Sequence, residues 1–212
     1  MFSQKLNELK KRIENINTEN REIRIIGVTK YTEISQINST VNGLLNDLAE
    51  NRVQRLIELK QQNINANLHL IGHLQTNKVK QAVASADLIQ SVDSLKVLQE
   101  ISKEAKKINK IQDILIQINI AHEDAKYGIY DNEAEDLIKR AFETENLNLC
   151  GLMTIMPIEF NEDNYKRMEF FYNEQKTKHS GLKILSMGMT NDFETAIRYG
   201  SNMIRVGSYL FK

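Results

Sequence analysis

Two stretches far apart in the chain carry side chains able to do chemistry. In the first, Lys30 closes the apolar run IIGVTK at residues 25–30. Desolvation at the end of a buried strand, with other cations nearby, favours the neutral amine that attacks an aldehyde to form a Schiff base. The alternative is a lysine whose stem lies on apolar surface while its head reaches water. The second stretch is LSMGMTNDFETAIRYGSNMIRVGSYLF at residues 185–211. Its two turns, Gly188-Met189-Thr190 and Gly207-Ser208, offer glycine, hydroxyls and free backbone N–H groups. A helix starting near Thr190 would aim its positive end at the first of them. Together they read as a phosphate cradle. Arg205 stands between Ile204 and Val206 in an otherwise apolar segment. A buried arginine needs an acceptor, which a ligand nitrogen, a phosphate or a carboxylate such as Asp192 would supply.

An imine-forming lysine, a phosphate cradle and a buried arginine describe a pocket for a phosphorylated aldehyde, and pyridoxal phosphate is the leading example. An arginine facing the pyridine nitrogen would disfavour ring protonation and weaken the electron sink, where an aspartate would strengthen it. A Schiff-base aldolase on a phosphate-binding barrel is a second reading, and it would want an acid–base carboxylate or tyrosine near Lys30. Other chemistries find little support. The histidines at 69, 73, 122 and 179 are scattered, with no HxH or HExxH spacing, so no metal site is expected. His73 falls at a strand end, where it would line the pocket or serve a structural hydrogen bond. Cys150 lies inside an apolar run and reads as a small buried hydrophobe rather than a nucleophile. No GxGxxG, GxxxxGK[ST] or GxSxG motif is present.

These residues need a scaffold that brings strand ends together. Phe2, Leu6, Leu9, Ile13 and Ile16 recur at spacings of three and four, which predicts an amphipathic helix over residues 3–19. Eight short apolar runs follow, at 23–29, 44–49, 68–72, 88–92, 114–120, 149–155, 182–187 and 203–206. The seven stretches between them read mostly as helix. The clearest spans 131–144, with Asp131 as its expected N-cap; Ser94 is expected to cap another. Strict alternation of this kind predicts parallel strands with helices outside, and eight strands suggest a closed (β/α)8 barrel with an extra N-terminal helix. No eighth helix is expected after the last strand, so the N-terminal helix would cover that gap.

In such barrels the active face lies at the strand C-termini, and phosphate often binds after strands seven and eight. Those are the two turns already singled out. The same rule gathers Thr29 and Lys30, Glu50 and Asn51, Gly72, His73 and Gln75, Ser91 and Asp93, Asn119 and His122, and Met153 and Thr154.

The chain of 212 residues suits one domain, residues 1–212, with no repeat or linker. Lys+Arg and Asp+Glu are 28 each, so no basic excess points to nucleic acid or an anionic membrane. No run approaches the ~18 apolar residues of a membrane span, and the charged N-terminus is unlike a secretory signal. One cysteine fits a reducing compartment, and a cytoplasmic location is expected.

The segments IIGVTKY around Lys30, LAENRVQ at 48–54, HLIGHLQTNKVK at 69–80, IQSVDSL at 89–95, GLMTIMP at 151–157 and LSMGMTNDFETAI with GSNMIRVGSYLF at 185–211 together resemble the pyridoxal phosphate homeostasis proteins. The resemblance covers nearly the whole chain. It implies an alanine-racemase-type barrel with pyridoxal 5'-phosphate in aldimine linkage to Lys30. By motif, Arg205 would approach the pyridine nitrogen. Thr190, Gly207 and Ser208, with Met189 and nearby backbone, would hold the phosphate, and Asn51 and His73 would lie close. It implies a carrier or regulator of the cellular cofactor, with apo-enzymes as recipients and no established turnover. The alternative is an amino-acid racemase. In racemases of this fold a tyrosine from an additional domain faces the lysine, and no such domain is seen before the sequence reaches Lys212, which also suggests a monomer. Ala49, where the family usually has glycine, Tyr31 after the lysine, and Lys212 in place of a terminal glycine depart from the pattern.

Overall fold

The computed structural model describes every residue except Met1, Tyr31 and Asn42. The first element follows from its apolar spacing: in α1 (Phe2–Ile16), Phe2, Leu6, Leu9 and Ile13 share the buried face. Eight strands come next: β1 (Arg24–Val28), β2 (Asp47–Glu50), β3 (Asn67–Leu70), β4 (Leu88–Val92), β5 (Gln112–Ile118), β6 (Leu147–Thr154), β7 (Ile184–Met189) and β8 (Met203–Val206). They alternate with α2 (Ile34–Val41), α3 (Val53–Gln61), α4 (Val79–Ser85), α5 (Leu95–Lys107), α6 (Asp131–Glu143), α7 (Glu162–Lys178) and α8 (Phe193–Arg198), and α9 (Ser208–Phe211) follows the last strand. All neighbouring strands are parallel. β8 closes on β1 through Ile25↔Ile204 and Ile26↔Arg205, making the expected (β/α)8 barrel.

Two apolar shells hold it. Successive strand side chains point to opposite faces. Ile26, Val28, Ala49, Leu88, Leu115, Met153 and Met203 therefore fill the barrel interior. Their neighbours, such as Leu48, Leu70, Ile89, Ile114 and Ile116, pack outward against the helices. Each such side chain, buried fully, contributes about 1.5–3 kcal/mol of transfer free energy.

The boundaries differ from the sequence expectation where turns compete with apolar runs. The run at 44–49 is not a strand from its start: Leu44 is exposed, Gly43 has φ +71°, and β2 begins only at Asp47. β7 runs two residues later than expected and takes in Met189, so the helix expected near Thr190 starts at Phe193 instead. Ser94 does cap α5, accepting from the Val97 N–H at 3.5 Å. Asp131 is not a cap. Tyr130 takes that place, and the Asp131 carboxylate is drawn to Arg167 and His122, each at 2.7 Å. The expectation that nothing helical follows the last strand also fails, because residues 208–211 close one turn as α9. α1 still covers this corner, packing on α8 and α9 with the Phe2 and Phe211 rings 5.3 Å apart.

Candidate functional site

At the C-terminal end of β1, a turn presents Lys30. The Thr32 N–H donates to the Thr29 carbonyl at 2.9 Å, and the Thr29 N–H donates to the Ala49 carbonyl of β2 at 3.1 Å. The fully buried Glu50 accepts from the Thr29 hydroxyl at 2.6 Å and from Arg55 Nε at 3.2 Å. Arg55 Nη2 then donates to the carbonyls of Thr29 (3.2 Å) and Thr32 (2.8 Å). The backbone on both sides of Lys30 is thus held by one arginine on α3 and one carboxylate at the end of β2. A buried carboxylate is tolerable here because a cation and a hydroxyl serve it. Tyr31, whose effect on the pocket the sequence raises, lies outside the described residues.

Across the barrel mouth, the turns after β7 and β8 meet. Ser208 Oγ donates to Thr190 Oγ1 at 3.2 Å. The first turn is braced by Asp192, whose Oδ1 accepts from the Met189 N–H at 2.7 Å and whose Oδ2 accepts from the Tyr165 hydroxyl at 2.9 Å. Gly188 sits at φ +99°, and a Cβ there would lie 2.6 Å from Ala196 Cβ, so the strand can hug α8 only with glycine. In the second turn a Cβ on Gly207 would meet the Val28 carbonyl oxygen at 3.0 Å. At the start of α9 the first backbone N–H groups have no intrahelical acceptor and remain available to a ligand.

Arg205 lies below these turns and is only 3% exposed. Asp192 does not pair with it. Its Nη1 donates to Ser186 Oγ and its Nη2 to the Thr154 carbonyl, both at 2.8 Å. Burial pushes the guanidinium down from its usual value to about 10, against the smaller raising effect of the Asp192 charge. Two of its five N–H donors are committed to these partners, which leaves donor capacity on the side facing the mouth.

One cavity of about 340 Å³ joins these parts, within the usual range for small-molecule sites. Lys30, Asn51, Met189, Thr190, Arg205, Gly207 and Ser208 line it, as the sequence anticipates. Val28, Ile71, Ile155, Asn191 and Lys212 also line it, and the sequence reading passes over them as site residues. Three of these continue the interior face of their strands, a two-residue periodicity that could have flagged them. His73 is not in this cavity. It lines an adjoining groove of about 380 Å³ with Arg52, Lys78 and Tyr127, where Nδ1 faces Asp93 Oδ2 at 3.1 Å and the ring stacks on Tyr127 at 3.7 Å. Asn51 borders both spaces. Its position is set by Gly72, where a Cβ would come within 2.0 Å of the Asn51 carbonyl oxygen. Cys150 is half-buried at the other end of the barrel interior, its thiol pushed up to about 12 by burial and by Asp113. Among the described residues, no cluster of three or more His, Cys, Asp or Glu could hold a metal ion, and no helix is long and apolar enough to cross a membrane.

Comparison with known proteins places this geometry in context. The family described as alanine racemase, N-terminal domain, matches residues 5–212. The pyridoxal phosphate homeostasis protein of Aquifex aeolicus is 32% identical, the alignment covering 99% of this chain and 95% of that protein. The protein of the same name from Buchnera aphidicola subsp. Schizaphis graminum is 34% identical over 91% of this chain and 87% of its own. Among solved structures, PipY of Synechococcus elongatus PCC7942 with PLP bound has the same fold, with a TM-score of 0.86 at 24% identity and both chains fully covered. An alanine racemase of Clostridium difficile 630 gives a TM-score of 0.79 at 20% identity, the match spanning 99% of this chain and 55% of the racemase.

Proposed function

The chain belongs to the pyridoxal phosphate homeostasis proteins, within the alanine racemase N-terminal domain family, and from that premise we propose that it binds pyridoxal 5'-phosphate and holds it for cellular supply. One observation carries the reading: Lys30, the joined turns at Thr190 and Ser208, and the buried Arg205 all face a single cavity. The donor set fits the group. Hydroxyls and backbone N–H groups at the turns suit a phosphate dianion, and Gly207 lets the backbone come close where a Cβ would fill the space.

When bound, pyridoxal phosphate supplies an aldehyde for an amine and an electron-withdrawing ring. In this reading Lys30 is the amine that holds it covalently. Thr190, Ser208 and the backbone at Met189 and Gly207 take the phosphate. Arg205, a donor lining the cavity, would meet the ring nitrogen and keep it unprotonated. Asn51 borders the opposite wall, and His73 acts from the adjoining groove.

The lining also bears on turnover. Among its described side chains the only strong acid–base groups are Lys30, Arg205 and Lys212; no carboxylate, histidine or tyrosine lines it. Racemisation wants a second proton-transfer group opposite the lysine. Among the described lining residues only Lys212 could take that part. The further elements of the proposal are a single domain acting as a cytoplasmic monomer that passes the cofactor to apo-enzymes.

The test is direct. Protein incubated with pyridoxal phosphate turns yellow, and borohydride leaves the cofactor mass on the peptide containing Lys30. Lys30→Ala loses that adduct. A colourless wild type, or an adduct on another peptide, would overturn the site. Sustained racemisation of L-alanine that vanishes in Lys30→Ala would replace the carrier reading with the enzyme one.

A further inference from the structure

The interior of the barrel contains polar groups that the proposed function does not use. Asp47, His69, Gln90 and Ser186 are all buried, from four different strands, and each touches the next. From Arg205 Nη1, a hydrogen bond of 2.8 Å runs to Ser186 Oγ. Ser186 Oγ donates to Gln90 Oε1 at 2.7 Å. Gln90 Nε2 lies 2.8 Å from His69 Nδ1, and His69 Nε2 lies 3.0 Å from Asp47 Oδ1. The chain crosses from the mouth to the opposite end of the barrel, where Asp47 borders a separate cavity with Arg24 and Asn67.

With a neutral imidazole at His69, only one assignment of protons satisfies every link. Arg205 can only donate, and the carboxylate of Asp47 accepts. Ser186 therefore accepts from Arg205 and passes its own proton to Gln90 Oε1. The Gln90 amide must donate to His69 Nδ1, so the imidazole carries its proton on Nε2 and gives it to Asp47. Turning the Gln90 amide over would put its oxygen against His69 Nδ1, and a neutral imidazole with its proton there would leave Nε2 facing Asp47 without one. Every donor consequently points the same way, from the cation at the mouth to the anion at the far end. Aligned bonds of this kind strengthen one another in a medium of low polarity.

We propose that Ser186, Gln90, His69 and Asp47 are positioning residues for Arg205: a one-way hydrogen-bonded relay, anchored on a carboxylate at the far end, that fixes which guanidinium N–H groups face the cavity. A carboxylate paired with Arg205 would take up its free N–H groups and neutralise the site locally. Serine and a backbone carbonyl hold it without an ion pair, and Asp47 fixes the far end of the relay, where Asn67 and Arg24 also meet it. The proposal rests on the reading of that cavity as the pyridoxal phosphate site.

Two variants and one measurement on the unloaded protein test it. In the cofactor-free wild type, nitrogen NMR of His69 shows the proton on Nε2. Ser186→Ala cuts the relay beside Arg205 at the loss of one hydroxyl. Asp47→Asn keeps an acceptor for His69 but removes the negative end. Both still give the borohydride adduct on Lys30. Both shift the visible absorption of the bound cofactor in the same direction, Ser186→Ala more, and release it about 3–10 times faster, the loss of one ordinary hydrogen bond. Ser186→Thr restores the wild-type spectrum. Spectra and release rates unchanged in both variants, at unaltered melting temperature, overturn the relay, as does a proton on His69 Nδ1. Should the wild type take up no pyridoxal phosphate, the cofactor reading fails instead, and the His69 tautomer alone decides whether the relay exists.

Discussion

At the residue scale, Cys150 shows how position governs reactivity. Its half-buried thiol lies beside Asn148 and Asp113, and burial together with the Asp113 charge pushes it up to about 12. At pH 8 the thiolate is then far scarcer than in a free cysteine. Native protein should therefore react with a thiol-specific disulfide reagent far more slowly than urea-unfolded protein, and the cofactor should not alter the rate. Fast labelling of the folded chain would show that the strand end around Cys150 opens readily. Lys30 is the contrasting case, since Glu50 and Arg55 fix the backbone around it rather than burying its amine.

At the scale of elements, the strand ends hold the site because their backbones approach closely. Gly72 is the clearest case, its Cα against the Asn51 carbonyl. A methyl there must push β2 and β3 apart at the mouth, and overpacking of this sort costs about 1–3 kcal/mol. Gly72→Ala should lower the melting temperature by about 2–10 °C. It should also weaken cofactor retention, because Asn51 moves with the strand end. An unchanged melting curve would mean that the two strand ends separate at little cost. Helix pairing depends on charge as well. Asp131 at the start of α6 holds Arg167 of α7 and His122 of the preceding loop, and the three fasten neighbouring helices outside the barrel.

At the scale of the whole molecule, buried carboxylates set the acid limit. For Asp131 burial acts to raise the carboxyl, but His122 and Arg167 outweigh it and hold it below its ordinary value near 3.8. Asp47 behaves alike through His69, Asn67 and Arg24. A carboxylate held down in the folded state binds fewer protons than in the unfolded chain. Its contribution is present above the ordinary value and is lost as pH falls through the lowered one. Glu169, raised by burial, has the opposite sign. Urea unfolding at pH 5 and pH 3 should therefore show the wild type losing more stability than Asp131→Asn. Parallel losses would show that the cluster with Arg167 and His122 adds nothing to acid sensitivity.

Sequence alone determined the alternation of strands and helices, the closed barrel, and the membership of Lys30, Thr190, Arg205 and Ser208 in one mouth. These are periodic or local properties: which face of a strand is apolar, and which residues follow its last buried position. It also showed that Arg205 is buried, because a lone cation in an apolar strand allows little else. It could not show what the arginine touches. Asp192, 13 residues away in sequence, looked available, yet it braces Met189 and Tyr165. Ser186 and Thr154 took the arginine instead, and His73 went to the groove beside the cavity. Partners of that kind depend on how eight strands are staggered around a closed sheet. A shift of one residue in register would turn every one of them to the other face, and only the packed barrel fixes that register.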